Sequence, residues 1–503
     1  MRSIKMTGRN ENIVIFPFMA QGHIIAFLGL ALQIEQRGYN VIFVNTPINI
    51  KKLQQSLPPT SSIRLLEIPF NSSDDDDLPP GVENTDVLPP NLIFNLIKAS
   101  VSLKPSFRQL ISNLTNDSGG DPPLCIVADI FFGWSAEIAH EFGVFHSIFS
   151  CSGAFGLACY YSLWMNVPHL NSDSAAEFSF PDFPESGRFH TTQLAANMLV
   201  ADGNDPPSVF HRKNLSAWSN SDGLLFNSVE ELDMIGLVYF RRKLGRLVCP
   251  LGPILLPPGK RAGKSAGITA EGCIEWLRTK PANSVLYISF GSNNTISASQ
   301  MMQLAKALEQ VNKSTNFIWV VRPPLGFDIT AEFRAEEWLP EGFIERVVDD
   351  QKRGLIVAQW APQGEILSHK SVGSFLTQCG WNSVLEGLSH GMPLMGWPMA
   401  AEQFFSAKFL AEEIGVCVEV ARGFNVEVRH QDIAEKIELV MGQSEQGKEL
   451  RRKAGEIKEM IEDAIRDQDG FKGSSVKAMD QFLNAALLMK EKTKNGLHTQ
   501  HNS

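Results

Sequence analysis

Short apolar runs alternate along the chain with stretches whose apolar residues recur at helical spacing. Asn12–Pro17 (NIVIFP) reads as a buried strand, Ile24 to Gln36 as a helix that Gly38 stops, and Val41–Val44 as the next strand. Between the first two lies the turn Ala20-Gln21-Gly22-His23. Right-handed crossover makes this a β-α-β unit with parallel strands. The rhythm returns at Leu124–Ala128, which ends at Asp129, then at the helix Trp134–Phe142 with Gly143 behind it, and at the strand Leu224–Phe226. The uncharged stretch Ser147–Met165 holds four Ser, two Gly and two Cys, and reads as a buried helix and not as a membrane span. Asp173–Asn204 has little pattern and is expected to be a loop over a pocket.

Cys249–Gly267 (CPLGPILLPPGKRAGKSAG) breaks the rhythm with four Gly and four Pro and is expected to link two halves. Strands then follow at Val285–Phe290, Phe317–Val321, Leu355–Val357 and Ser374–Thr377, with helices at Ala298–Gln310, Trp381–Ser389 and Phe404–Glu413. The pattern predicts an α/β protein of two Rossmann-like, doubly wound domains facing across a cleft. The expected divisions are 1–248, a linker 249–267, 268–470, a helix 471–490 packing back on the first domain, and a tail 491–503. Ligands of such sheets sit beyond the carboxyl ends of the strands. Chemistry is therefore expected at His23, Asp129, Ser292 and Thr377–Ser383.

Composition narrows the classes. At 503 residues the chain exceeds a single core, which agrees with two domains. Its 45 Lys plus Arg against 55 Asp plus Glu give a net charge of −10, which argues against a nucleic-acid binder. The seven cysteines form no CxxC pair and their number is odd, so neither a zinc knuckle nor a disulfide framework is expected. Met1–Asn12 is polar and basic, without the apolar region of a signal peptide. These features predict a cytoplasmic protein. Thirty-two Phe and nine Trp supply apolar wall for a core or an organic ligand.

Several motifs fail on context. The turn after the first strand has one Gly where a dinucleotide fingerprint needs three. Gly259–Ser265 (GKRAGKS) is one residue short of a P-loop. Gly263–Gly267 and Gly387–Gly391 match G-x-S-x-G, but neither has the strand–turn–helix setting of a nucleophile elbow. Asp74–Asp77 reads as a solvated charge run, and Glu137, His140 and His146 as structural. No metal site is expected.

The dense stretch is Trp360–Gln403 (WAPQGEILSHKSVGSFLTQCGWNSVLEGLSHGMPLMGWPMAAEQ). It offers a flat aromatic (Trp360), an amide (Gln363), and a strand leading into Gly380-Trp381-Asn382-Ser383 at a helix start. A helix N-terminus suits a diphosphate. Glu386 lies one turn further, in reach of ribose hydroxyls, and Glu402 with Gln403 offers an acceptor and a donor to a sugar. Over its full length this stretch resembles the signature box of plant family-one UDP-dependent glycosyltransferases. The resemblance extends to Pro17–His23, to the Asp129 segment (VADIFFGW) and to Phe290-Gly291-Ser292.

The resemblance implies the GT-B fold and transfer of a sugar, by preference glucose from UDP-glucose, to a hydroxyl or carboxyl of an apolar small molecule such as a flavonoid, another phenolic or a terpenoid. It implies no permanently bound cofactor, and a monomer. The first domain would take the acceptor and the second the UDP-sugar. Trp360 and Ala361 would face uracil with the backbone of Gln363. Ser292, Asn382 and Ser383 would hold the diphosphate, Glu386 the ribose, and Trp381, Glu402 and Gln403 the sugar. His23 would act as base, kept neutral by the helix start, with Asp129 orienting its ring. Candidate acceptor walls are Phe18, Phe131, Phe132, Phe149, Phe155 and Trp164. Two departures stand out. Gln378 replaces the usual His beside the diphosphate, and Ala26 a common Pro. The alternative implied by Gln378 is a relative that binds UDP-sugars but transfers poorly.

Overall fold

A computed structural model describes residues 11–71, 77–171, 176–256, 267–292, 294–423, 426–468 and 470–500, the last five by backbone alone. The strings Gly259–Ser265 and most of Asp74–Asp77 lie outside these residues.

The first sheet has seven strands. In chain order they are β1 (Asn12–Phe16), β2 (Asn40–Asn45), β3 (Arg64–Glu67), β4 (Cys125–Asp129), β5 (Phe145–Ser150), β8 (Gly223–Phe226) and β9 (Leu247–Pro250). Between β5 and β8 stands a small antiparallel hairpin, β6 (Glu177–Ser179) with β7 (Arg188–His190). The spatial order is β3-β2-β1-β4-β5-β8-β9, and every pairing in this sheet is parallel. The second sheet comprises β10 (Val285–Ser289), β11 (Asn316–Val321), β12 (Gly354–Ala358), β13 (Val372–Thr377), β14 (Leu394–Gly396) and β15 (Cys417–Glu419). Its order is β12-β11-β10-β13-β14-β15, again all parallel. The fold is α/β with two Rossmann-like parallel-sheet domains.

Side chains alternate across each sheet. Ile13, Ile15, Phe43 and Val127 face one layer, with Phe27 and Leu28 of the helix Gln21–Gln36 and Phe482 and Leu483 of the C-terminal helix Ser474–Gln500. Val14, Phe16, Val44 and Ala128 face the other, with Phe107 and Ile111 of the helix Leu103–Asp117. Both faces are covered, so the strands are near-continuous apolar runs. One apolar cluster crosses the domain junction. In it Phe155 stacks on Phe409 with ring centroids 4.5 Å apart, and Phe180 and Phe189 meet Phe405.

The structure corrects several expectations. The uncharged stretch Ser147–Met165 is not one helix. Its start belongs to β5, and the helix Ala154–Asn166 follows after a turn. Apolar content had masked the change of period. Cys249 and Pro250 end strand β9 and so precede any linker. Asp173–Asn204 is no plain loop where described. It carries the hairpin and four buried rings, Phe178, Phe180, Phe183 and Phe189. The helix expected over Phe404–Glu413 is an α-helix, Gln403–Lys408, that widens into a π-turn over Phe409–Ile414.

In both sheets the strand order reverses at the first strand, between β1 and β4 and between β10 and β13. These are the points where a crevice opens beyond the strand ends.

Candidate active site

Asp129 is the last residue of β4 and is fully buried. Its Oδ2 accepts from the Phe18 N–H at 3.0 Å and lies 2.8 Å from Nδ1 of His23, while Oδ1 accepts from the Phe131 N–H at 3.2 Å. A carboxylate so saturated cannot turn, and it holds the His23 proton on Nδ1. The lone pair of the neutral ring is then on Nε2. Phe131 stacks on the imidazole at 5.7 Å and Phe18 meets it edge-on at 5.8 Å. Burial lowers the His23 pKa, but Asp129 and the neighbouring Cys151 thiol together raise it well above the ordinary imidazole value. The expectation that the helix start keeps this ring neutral is therefore corrected. A full carboxylate charge in direct contact outweighs the partial charge of a helix end.

The second domain contributes the helix Trp381–Ser389, whose N-cap is Gly380. The Nδ2 of Asn382 donates to the Gly22 carbonyl at 2.8 Å, one residue before His23, and its Oδ1 accepts from Asn227 at 3.3 Å. The Trp381 indole N–H donates to the Asn227 carbonyl at 2.7 Å and the ring packs against Gly153, which leaves no indole N–H for a sugar. Gln363 donates to Glu386 at 2.7 Å and to Ser383 at 3.4 Å, so the first two turns of this helix and the Trp360 loop share one network. Trp360 is half-buried and Ala361 buried.

Gln378 accepts from the Thr377 hydroxyl at 3.1 Å through Oε1 and aims its NH2 at Gly291 and Gly380. Gly291 has φ +79° and no room for a side chain, so the strand β10 can turn there into half-buried Ser292. Glu402 accepts from Ser152 at 2.8 Å, another bond across the junction. Gln403 takes the N–H groups of Met399 and Ala400 on its Oε1, both at 3.1 Å, so its side chain is tied to the loop that precedes it.

On the acceptor side the expected wall divides. Phe18 and Phe131 flank His23, but Phe132 packs on Phe16, Phe149 on Phe27, and Phe155 on Phe409, all within the core. Trp164 stacks at 4.5 Å on His211, which the sequence reading had passed over. Burial holds the His211 pKa down to about 4, so this ring is neutral. Tyr160 Oη lies 3.3 Å from it, and Phe131 is 6.4 Å away, so aromatic rings lead from His23 to Trp164. Also missed were Cys151, Ser152, Asn227 and Arg322. Each lies within two residues of a strand end (β5, β8 or β11), the signal that had pointed to Asp129 and Ser292.

Known proteins align with this arrangement. Residues 270–449 match the family described as UDP-glucoronosyl and UDP-glucosyl transferase. UDP-glycosyltransferase 92A1 of Arabidopsis thaliana is 49 % identical over 489 residues, covering 96 % of this chain and 98 % of that relative. Crocetin glucosyltransferase 3 of Crocus sativus is 40 % identical over 440 residues, covering 86 % and 90 %. Among solved structures, Glycyrrhiza uralensis UGT73P12 complexed with glycyrrhetinic acid 3-O-monoglucuronide superposes with a TM-score of 0.80 at 26 % identity, over 98 % of both chains. With its two parallel-sheet domains and this cleft, the chain belongs to the plant family-one UDP-dependent glycosyltransferases.

Proposed function

We propose that this UDP-glycosyltransferase moves glucose from UDP-glucose to a hydroxyl of an apolar aromatic or terpenoid acceptor, with inversion and without a metal. The observation that carries the reading is the pair His23–Asp129, joined through Gly22 and Asn382 to a helix N-terminus of the other domain.

In this reading the acceptor lies along Phe131 and Trp164, with its hydroxyl at Nε2 of His23. His23 takes the proton as the oxygen attacks the anomeric carbon on the face opposite UDP, and Asp129 stabilises the imidazolium that forms. Charge grows on the departing diphosphate, where Ser292, Gln378, Asn382, Ser383 and the first N–H groups of the helix donate to it. Trp360 stacks on uracil beside Ala361 and the Gln363 backbone. Glu386 takes the ribose, and Glu402 and Gln403 the sugar hydroxyls. The name of the Crocus relative supports glucose. A monomer is part of this reading. The seven unpaired, buried thiols suit the reducing cytoplasm.

The test is a screen of UDP-glucose, UDP-galactose and UDP-glucuronate against phenolic and terpenoid acceptors, read by mass. Glucosides are expected from the native protein, and none from His23→Ala, which should still bind UDP. Unchanged turnover of a phenol by His23→Ala removes the base assignment.

A further inference from the structure

Arg322 stands directly after β11, on the same sheet edge as Ser292 and Gln378. Its guanidinium is buried and donates to the carbonyls of Gly291 and Gln359. Those residues immediately precede Ser292 and Trp360, the groups assigned to the diphosphate and to uracil. Among the described residues Arg322 has no carboxylate in ion-pair contact. The carboxylate that bears on its charge is Asp86 of the first domain, and that group is paired with Lys52 at 2.7 Å. Tyr287 is the other titratable neighbour. Burial pulls the Arg322 pKa down to about 10, which leaves it ionised at neutral pH.

A buried cation compensated by carbonyl dipoles alone is costly to a fold, and a brace between two loops does not require it. The charge lies one peptide unit behind the Gly291–Ser292 turn, on which the Gln378 amide packs. Gln378 brings a hydrogen bond there but no charge.

We propose that Arg322 is an electrostatic positioning residue for the donor diphosphate: its buried charge, one peptide behind the Gly291–Ser292 turn, favours the pyrophosphate anion in the ground state and more strongly as UDP departs. The proposal rests on the UDP-sugar reading of the site. A buried charge acts on a nearby anion far more than the same charge in water. It also offsets the cation that a His at position 378 would have supplied.

The test compares uridine, UMP and UDP, which share the base and ribose but differ in charge. Their affinities for the full chain and for Arg322→Gln and Arg322→Lys are measured by calorimetry. In Arg322→Gln the UDP affinity should fall ~10-fold or more while that for uridine stays within about twofold, with UMP between them. Arg322→Lys should keep the native ratio of UDP to uridine affinity, even where the missing guanidinium fork loosens both loops and weakens each ligand. With transfer as the readout, kcat should fall in Arg322→Gln by a larger factor than the donor KM rises. Equal losses for uridine and UDP, or none, mean that Arg322 only braces the loops and overturn the proposal. Should Arg322→Gln not fold, the lysine variant decides, since a collapsed ratio with charge retained overturns it too. Native protein that binds neither uridine nor UDP overturns the donor-site reading itself, and the proposal with it.

Discussion

At 2.8 Å from Asp129, the His23 ring gains a partner whose charge overrides the cost of burying its own. The sign of the pH effect follows. Only the neutral ring accepts a proton, and a raised pKa means that the neutral form is reached at higher pH. The acid limb of the kcat/KM–pH profile should therefore lie above pH ~6.5, the ordinary imidazole value. A limb at or below that value contradicts the assignment. The same pair adds stability that is fully present below the unfolded imidazole pKa and fades as pH rises through the folded one. Gln378 is the second residue with a measurable consequence. Its NH2 is aimed at Gly291 and Gly380, so an imidazolium there would meet the same anion with charge added. Gln378→His should tighten the donor by about 1 kcal/mol, a fall in donor KM of ~5-fold. No fall removes the argument from the missing charge.

Among the elements, the turn between β5 and the helix Ala154–Asn166 does the most in the fewest residues. Cys151 bears on His23, Ser152 donates to Glu402 at 2.8 Å, and Gly153 packs on the Trp381 ring. Ser152→Ala leaves one Glu402 oxygen without its donor. A hydrogen bond to a charged group is worth ~1.5–3 kcal/mol. If Glu402 binds the sugar, the KM for the UDP-sugar should rise ~10-fold or more while UDP inhibits as before. A parallel loss for UDP would place Ser152 in a general structural role. A Cβ on Gly153 would come within 2.8 Å of the indole. Gly153→Ala should lower stability by about 1–3 kcal/mol, read from the denaturation midpoint, because the buried ring is tied by its N–H to the Asn227 carbonyl and cannot move away freely.

For the whole molecule, the junction is built as a core and not as a hinge. Phe155 on Phe409, the Asn227–Trp381 and Asn382–Gly22 bonds, and the C-terminal helix across the first sheet tie the two halves together. Thermal unfolding should be a single transition that UDP shifts as a unit, although UDP is assigned to the second domain. Two calorimetric transitions, with only one moved by UDP, would show the halves to be energetically separate.

Much of this was legible in the chain because it is local. Apolar runs of five or six residues gave β1, β4, β10 and β11, and helical spacing gave the helices after β1 and β10. Pro17–His23 and Trp360–Gln403 each hold their candidate site residues within one continuous segment. The strands β3 (RLLE) and β15 (CVE) were not legible, since each has only two apolar residues beside charged ones, and β5 was hidden in an uncharged stretch that read as one helix. Asn227, Ser152 and Arg322 lie outside any motif. Their partners are 27 to 250 residues away in the chain, and only the packing of neighbouring strand ends and of the two domains brings them together. Residue order thus determined the candidate groups of the proposed reaction, whereas the raised pKa of His23, the turning of Trp381 into the junction and the cation behind the Gly291–Ser292 turn were decided by the fold, because each is set by neighbours that sequence distance does not encode.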